Sequence, residues 1–427
     1  MNPWLQNVIA KATALAGQTD GLADFRAQAL AKLQDTAWPT RKTEVWRYTS
    51  LKALETAEFE STKADAAVQI SAISDQETID MVFSNGQLQT DLSGLTLPEG
   101  LSLFSLAKAT DEQHNTAKSI LSQVKPEHHL FGLINDALLQ DALVIDVADG
   151  AQISTPVRII NIVQDGSEGH ARVLCRVGKD AKLTVLEHMS SDNADKSNST
   201  SFNTLVSEFS IQPEAQLEHY RFALQSGADM SVGGCHFALN EKAKLNSTFV
   251  GYGSALARSN VDILHKGEYA DAKLNAIYLL KDDERFDLHA TVEHEVPNCT
   301  TEENVRGIVG DTAQATFNGR IHIHRDAQKT LAELNNRNLL LSDKAQINTK
   351  PELEIYADDV RCAHGATVAE LDDDALYYLT SRGVSKERAL VMLNFGFINA
   401  LVDDMPNQAI AEWLREQLQA RFAQMGE

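Results

Sequence analysis

Cys362 and His364, in the segment ADDVRCAHGATV, are the residues whose types and spacing best suit metal chemistry. Residues two apart on a β-strand point to the same face, with Cα atoms about 6–7 Å apart. The thiol and the imidazole could therefore share one ion or cluster, and this ligand pair suits iron–sulfur species, zinc or copper. An isolated C-x-H pair is a weak signal by itself, because most such pairs bind no metal.

Two further pairs offer similar ligands. His322 and His324 have the same spacing in RIHIHRD, and EHEVPNC places His294 near Cys299. Histidines on strands more often serve as half-exposed pairing residues than as ligands. A closed tetrahedral site needs four ligands, and the sequence nowhere gathers three thiols or imidazoles at short spacing. Any cluster bound here would therefore need ligands from a partner.

Common catalytic motifs are absent from the sequence. It has no G-x-x-x-x-G-K-[ST] phosphate loop, no G-x-G-x-x-G between a strand and a helix, no G-x-S-x-G elbow and no H-E-x-x-H, which argues against an unaided ATPase, dehydrogenase or serine hydrolase. The stretch KDDERFD keeps one enzymatic alternative open, a stand-alone β-helix enzyme acting on carbohydrate, with Asp282, Asp283 and Asp287 as candidate carboxylates. A solvated turn is the simpler interpretation of that stretch.

The elements that would carry these residues are mainly strands. From about Leu143 the apolar pattern alternates for some two hundred residues, and a motif of alanine, Lys or Gln, and then Leu, Ile or Ala recurs within it. Successive copies are 28 to 41 residues apart, at Ala151, Ala181, Ala215, Ala243, Ala272, Ala313 and Ala345. Units of this size are typical of the coils of a β-helix, and a large antiparallel sandwich is the alternative.

Helical patterns flank the strands. Two amphipathic helices begin the chain, and Asn85-Gly86 predicts a tight hairpin. In the last sixty residues Gly383 should end one helix and Ser385 should cap the next. That helix is apolar on nearly every side, so it either contacts another protein or lies deep against the solenoid. We therefore predict an N-terminal mainly helical domain over 1–125, a β-helix core over 126–370 and a C-terminal helical domain over 371–427.

Charge and composition narrow the choice of partners. With 38 basic and 60 acidic side chains the net charge is −22, which repels nucleic acid and anionic lipid surfaces. There is no basic leader and no run of eighteen apolar residues, so we predict a cytoplasmic protein without membrane contact. The four cysteines, at 175, 235, 299 and 362, form no C-x-x-C pair and are expected to be reduced.

Over nearly its whole length the sequence resembles the paired SufB and SufD scaffold proteins of the Suf iron–sulfur assembly system. The strongest stretch runs from Asn335 to Gly383, NNRNLLLSDKAQINTKPELEIYADDVRCAHGATVAELDDDALYYLTSRG, and PTRKTEVWRYTSL at Pro39–Leu51 resembles the N-terminal motif of the family. Two details resemble the SufD branch. Leu379 stands where SufB-type chains carry a cysteine, and the C-x-H-G-A-T block at Cys362–Thr367 is absent from those chains.

This resemblance implies a right-handed parallel β-helix with helical terminal domains, acting as a non-catalytic scaffold in a complex with one SufB and two copies of the SufC ATPase. SufB would pair along the β-helix, and SufC would dock on the C-terminal helices around Phe395, Phe397 and Ile398. A transient Fe–S cluster would form at the SufB interface, with His364 as the first candidate ligand and Cys362 as the second. The lone chain would hold no tightly bound cofactor and could form a homodimer. A plain interaction module without metal is a third alternative.

Overall fold

The structure is a computed structural model of the 427-residue chain, and it describes residues 2–18, 20–59, 72–126, 129–191, 200–225, 227–370 and 373–425. Helices lie at both ends of this described chain. The N-terminal helices are α1 (Pro3–Ala16), α2 (Ala23–Asp35), α3 (Lys52–Glu55), α4 (Asp111–Lys118) and α5 (Leu130–Ala137). The C-terminal helices are α6 (Asp373–Ser381), α7 (Lys386–Asp403) and α8 (Gln408–Met425).

Strands build the centre of the molecule. The first ones are β1 (Ile79–Ser84), β2 (Gln87–Leu88), β3 (Leu101–Ser105), β4 (Leu143–Val147), β5 (Val157–Val163), β6 (Glu168–Val177), β7 (Lys182–Ser191), β8 (Phe202–Ile211) and β9 (Gln216–Leu224). They are followed by β10 (Met230–Leu239), β11 (Lys244–Tyr252), β12 (Leu256–His265), β13 (Asp271–Leu280) and β14 (Arg285–His294). The last ones are β15 (Thr300–Val309), β16 (Gln314–Ile323), β17 (Leu331–Leu340), β18 (Gln346–Ile355) and β19 (Arg361–Glu370).

These strands form a parallel β-solenoid of about eight coils. From β4 onwards, successive strands alternate between two parallel sheets, which we call the odd sheet (β5 to β19) and the even sheet (β4 to β18) after the strand numbers. Each coil contributes one strand to each sheet and lies directly on the previous coil. The β-helix core with helical terminal regions that the sequence predicts is therefore confirmed, and the antiparallel sandwich is wrong.

Small residues line the corner at which each coil enters the odd sheet. The backbone hydrogen bonds place one residue per coil in this column: Ala151, Ala181, Ala215, Ala243, Ala270, Cys299 and Thr330. The residue before each of the first four alanines has a positive φ, namely Gly150, Asp180, Glu214 and Lys242. The backbone thus turns through the left-handed region at the corner.

The alanine repeat seen in the sequence combines residues from two different corners of the coils. Ala313 and Ala345 lie in a second column, at the corner that leads into the even sheet, where the nitrogen of Gln346 donates to the Ala313 carbonyl. Ala272 is a strand residue of β13, and Ala270 occupies the corner of that coil. The long interval of 41 residues between Ala272 and Ala313 therefore reflects a change of corner rather than an insertion.

The terminal helices cover part of the outside of the solenoid. Helices α7 and α8 pack on the outer face of the odd sheet, where Ile398 and Trp413 join a buried apolar cluster with Phe222. Helices α1 and α5 pack on the early coils of the even sheet, and Trp4 contacts the rings of Phe131 and Phe202 there. None of the helices in the described part of the chain has the length and apolar character that a transmembrane segment requires.

The two ends of the solenoid differ. At the first end, β3 runs antiparallel to β4 and closes the even sheet, while β1 and β2 extend the odd sheet as a hairpin. At the other end, β18 and β19 are the last strands of their sheets, and most of the residues of β19 are exposed. We call this face, formed by β18 and β19, the open end.

Glu303 is a buried carboxyl in the interior of the solenoid, and it finds no hydrogen-bond partner among the described residues. Its register partners are Leu274 and Leu334, and neither of its oxygens has a hydrogen-bond partner. Burial raises its pKa from 4.5 to about 8. The folded protein therefore keeps a proton that the unfolded chain releases, and stability falls as the pH rises from 4.5 through about 8.

We expect Glu303→Leu to stabilise the protein. At pH 8 the free energy of unfolding should rise by about 3 kcal/mol, because an apolar side chain replaces a carboxyl that cannot ionise without cost. Thermal unfolding at pH 5 and pH 8 measures the effect, and the gain should be larger at pH 8. An equal gain at both pH values would show that Glu303 does not titrate between them.

Candidate functional site at the open end of the solenoid

Cys362 and His364 lie on β19, the last strand of the odd sheet. In register, Cys362 pairs with Ala332 and His364 with Leu334, both of which are buried in the interior core. Register partners in a parallel ladder point to the same side, so both side chains continue the inward-facing row. None of the described coils follows β19. This row therefore meets solvent at the open end, where Cys362 is half-buried and His364 is exposed.

The two candidate ligands differ in how readily they would bind a metal. Burial raises the pKa of the Cys362 thiol, and a hydrogen bond from the backbone of Ala332 offsets only part of the effect. The thiol is therefore protonated at neutral pH, and it would need a metal or a positive neighbour to become a good ligand. His364 is exposed and needs no such activation, because a neutral imidazole already binds metals.

The site is incomplete within this chain. Among the residues that the structure describes, neither Cys362 nor His364 belongs to a group of three or more potential ligands. Two protein ligands fall short of the four of a closed tetrahedral site. Any metal or cluster bound by this pair would therefore need further ligands, and its binding stays a prediction.

Exposed apolar side chains and open backbone groups are also found on and beside the last strands of the solenoid. The outer edges of β18 and β19 have no neighbouring strand among the described residues, which leaves a row of N–H and C=O groups open to another chain. Val368 on β19 is 44 % exposed, and Tyr356 directly after β18 is 60 % exposed. Tyr377 and Tyr378, in the middle of α6, are also exposed. An open edge with exposed aromatic rings is typical of a protein-binding surface.

The residues predicted to dock an ATPase lie on α7, which packs beside α8 on the odd sheet. Ile398 is fully buried in the cluster beneath the helix, whereas Phe395 and Phe397 are partly buried at its margin. The ring of Phe395 contacts that of Phe422, with centroids 6.1 Å apart, and the guanidinium of Arg306 lies 5.7 Å from the centroid of Phe397. Most of the apolar surface of α7 thus serves packing within the chain. The docking role stays a prediction.

The other ligand pairs singled out in the sequence do come together, each with a third residue. His322 and His324 meet Glu293 on the outer face of the even sheet, and His294 and Cys299 meet His265 inside the solenoid. No local motif marks these third residues, because they lie about one coil away in the sequence. The coil spacing itself is the signal that could have found them, since His265 and His294 are register partners.

Two more groups of potential metal ligands have no recognisable signal in the sequence. Glu187, His219 and Cys235 converge in the interior, and His129, His236 and Asp262 converge beside α5. Their members come from different coils or from the N-terminal region, so no short motif connects them.

The carboxylates of the carbohydrate alternative do not form a catalytic pair. Asp282 is exposed in the turn before β14, whereas Asp287 is buried on that strand. Asp287 is ion-paired with Arg258 at 2.8 Å and with His289 at 2.9 Å. Burial alone would raise its pKa, but these neighbours hold the pKa at about 2. A carboxyl held this firmly ionised cannot serve as the general acid of a glycosidase.

Arg258 also holds the basic, aromatic segment near the N-terminus against the solenoid. Its guanidinium lies 3.9 Å from the centroid of the Trp46 ring and donates to the carbonyl of Val45 at 2.7 Å. Thr49 donates to the carboxylate of Asp287. The segment PTRKTEVWRYTSL is therefore attached to the even sheet by one buried cation and its partners.

Comparisons with known proteins identify the family. The family model described as the SufBD core domain of SUF system FeS cluster assembly matches residues 160–397, and the model of the SufBD protein N-terminal region matches residues 10–159. The iron–sulfur cluster assembly protein SufD of Escherichia coli is 29 % identical over 93 % of this chain and 91 % of its own. SufD of Bacillus subtilis is 26 % identical, covering 92 % of each chain.

A SufB-type relative matches less of the chain. The iron–sulfur cluster assembly protein SufB of Bacillus subtilis is 22 % identical over 81 % of this chain and 73 % of its own. Together, the two family models cover the solenoid and most of the N-terminal region, and the SufD relatives match at nearly full length. This chain belongs to the SufBD family of the SUF iron–sulfur cluster assembly system.

Proposed function

We propose that this chain is a non-catalytic scaffold subunit for iron–sulfur cluster assembly that pairs with a SufB-type chain through its open end. Members of the family have a role in Fe–S cluster assembly. The observation that carries the finer proposal is the placement of Cys362 and His364 on the last strand, accessible yet short of ligands. A nascent cluster is the cargo of such a site rather than a resident cofactor.

The open end supports pairing by strand addition. A second solenoid that presents its own last strands could hydrogen-bond to β18 and β19 and continue both sheets, which is a common mode of β-sheet recognition. Pairing would also cover Val368 and Tyr356, which are exposed in the single chain. An isolated chain has the same face, so a homodimer is the expected by-product when the SufB-type partner is missing.

Pairing would complete the cluster site. His364 is exposed on the inward row and could reach a cluster at the junction without rearrangement, so it is the first candidate ligand. Cys362 is half-buried and its raised pKa keeps it protonated, so it is the second. The SufB-type chain would supply thiolates, since iron–sulfur clusters are held mainly by cysteine.

The C-terminal helices are proposed to dock the SufC ATPase. Phe395 and Phe397 would contribute their partly exposed edges, and Met392 on the same helix is 49 % exposed. Ile398 is buried against the solenoid, so its part in docking would be to hold α7 in place. ATP-driven movement of a subunit bound here would be transmitted to the open end through α6, which connects β19 to α7.

Replacing His364 with alanine tests the cluster assignment. Co-purified with its SufB and SufC partners, the variant should form the same complex, because His364 is not part of the packing of the chain. Cluster affinity after anaerobic addition of ferrous iron and sulfide should fall by at least about 10- to 100-fold, because even the loss of a residue that only supports a ligand costs that much. The visible absorption of the cluster and the iron content measure this loss.

His114→Ala is the matched control, because His114 is a half-exposed histidine on α4 in the N-terminal region. It should leave both the complex and the cluster unchanged. Equal cluster content in the His364 variant and the unmodified complex would reject His364 as a ligand. Failure of the unmodified chain to join the complex would reject the scaffold role itself.

A further inference from the structure

We propose a second metal site, separate from Cys362 and His364, in which Glu293, His322 and His324 bind a divalent transition metal ion on the outer face of the even sheet. The three residues are a group whose ligand atoms all lie within 4.8 Å of one another. The carboxylate comes from β14 and the two imidazoles from β16 and the residue that follows it.

The solenoid fixes these three residues relative to one another. Glu293 and His322 are direct register partners on neighbouring parallel strands. His324 lies two residues beyond His322, and its backbone nitrogen still donates to the His294 carbonyl at 3.0 Å, so it continues the ladder. Three side chains on adjacent strands of a rigid sheet are held more precisely than residues on a loop.

The ligand atoms converge on one point. Nδ1 of His322 is 2.6 Å and Nε2 of His324 is 2.8 Å from the same oxygen, Oε2 of Glu293. The rings stack with centroids 4.3 Å apart. Nδ1 of His322 is buried and makes no hydrogen bond in spite of this contact. Two ligand atoms that each lie about 2.1 Å from an ion, at a right angle to each other, are about 3 Å apart. The observed separations of 2.6 and 2.8 Å are close to this value, so small side-chain shifts would make room for the ion.

The ligand set determines the class of ion. Two histidines and one carboxylate on one side of an ion form the facial arrangement that holds Fe²⁺ in many non-haem iron proteins, and the same ligands also bind Co²⁺ and Zn²⁺. The hard ions Mg²⁺ and Ca²⁺ prefer sites made of oxygen atoms alone. Three protein ligands leave the remaining coordination positions to water.

Neighbouring charges orient the carboxylate. Arg320 donates to the other oxygen of Glu293, Oε1, at 2.9 Å, and binds Glu354 through two contacts of 2.9 Å each. Oε1 is thus occupied, and Oε2 is left facing the histidines. Two carboxylates and one guanidinium leave the group with one net negative charge when the imidazoles are neutral, which favours a divalent cation.

An entry path exists from solvent. The side chain of His324 is 43 % exposed, and it lines a groove of about 740 Å³ between the even sheet and the N-terminal region. Glu295 and Glu352 also line this groove and would attract cations. The group of His265, His294 and Cys299 is by contrast fully buried, so an ion could reach it only if the solenoid opened.

Metal titration of the purified, chelator-treated full chain tests the proposal. Calorimetry with Zn²⁺ and Co²⁺, and with Fe²⁺ under anaerobic conditions, should give one bound ion per chain, and Co²⁺ should produce visible d–d absorption. The double variant His322→Asn with His324→Asn should lose this binding by at least about 100-fold, because only the carboxylate of the ligand set remains. Glu293→Gln should weaken it by about 10-fold.

Three controls keep the test decisive. Circular dichroism and Tm without metal should match between the variants and the unmodified chain, which shows that the fold is intact. His364→Ala should bind the ion as the unmodified chain does, so the outcome is separate from that of the cluster experiment. His294→Asn should also leave binding unchanged. The proposal is overturned if the unmodified chain binds no ion, if the double variant keeps its affinity, or if either control abolishes binding.

Discussion

Val368→Asp is expected to abolish pairing between this chain and a SufB-type partner. Val368 belongs to the inward-facing row of β19, and its register partner on β17 is the buried Asn338. Because no described strand covers β19, Val368 is 44 % exposed in the single chain. Pairing through the open end would bury it. Carrying a carboxylate into that junction without a partner costs several kcal/mol, and about 3 kcal/mol already corresponds to a loss of more than 100-fold in affinity.

The single chain should tolerate this substitution, because the side chain already contacts water. Analytical ultracentrifugation of the isolated variant should show a monomer, and co-purification with the SufB-type partner should fail. Tyr269→Asp is the control, since Tyr269 is a large side chain that is even more exposed, 56 % accessible, at a corner away from the open end. Pairing that survives in the Val368 variant would place the interface on another face.

Glu187→Ala is expected to destabilise the protein by about 3–5 kcal/mol, the usual cost of removing one member of a buried ion pair. Glu187 is fully buried and 3.5 Å from Nε of Arg221, which is also buried. It accepts hydrogen bonds from Ser207 and Cys235 as well. The substitution would leave the guanidinium of Arg221 without a carboxylate in the interior. Chemical denaturation measures the loss.

The pH dependence of stability supplies an independent check. Burial alone would raise the pKa of Glu187, but Arg221 and His219 hold it at about 2, below its ordinary value of 4.5. The stabilisation is therefore complete above pH 4.5 and is lost as the pH falls through about 2. Integrated over that interval the shift corresponds to about 3 kcal/mol, in line with the mutational estimate. The Glu187→Ala variant should not show this loss of stability at acidic pH.

Replacing both members with methionine should recover most of the stability, because well-packed apolar residues often substitute for a buried ion pair. The coupling energy between the two positions follows from a double-mutant cycle that also includes the two single methionine variants. If Glu187→Ala and the double variant are equally unstable, the unpaired charge of Arg221 does not account for the loss of stability.

Local signals in the sequence predicted much of the fold. Asn85 and Gly86 both have positive φ at the turn between β1 and β2, as a two-residue hairpin requires. Gly383 ends α6 with a φ of 88°, and the side chain of Ser385 accepts from the nitrogen of Arg388 at the start of α7. Each of these features depends on the conformational preferences of a few consecutive residues, so the sequence alone specifies it.

The solenoid was also predictable, because its coils repeat. Alternating apolar residues and recurrent corner alanines reflect the same backbone geometry in each coil. The predicted repeat failed at Ala272, which lies within a strand, and at Ala313 and Ala345, which lie at the other corner. The identity of the candidate ligands on β19 likewise came from their local spacing. Whether Cys362 and His364 bind a cluster stays a prediction.

Contacts between distant parts of the chain were decided only by the tertiary structure. The amino-acid sequence by itself determined the strands, their alternation and the turns, because these arise from the chemistry of neighbouring residues. The meeting of Glu293 with His322, the burial of Asp287 beside Arg258, and the burial of Ile398 between α7 and the odd sheet depend on how coils and helices pack. Packing joins residues that lie far apart in the sequence, and no local preference encodes which of them will meet.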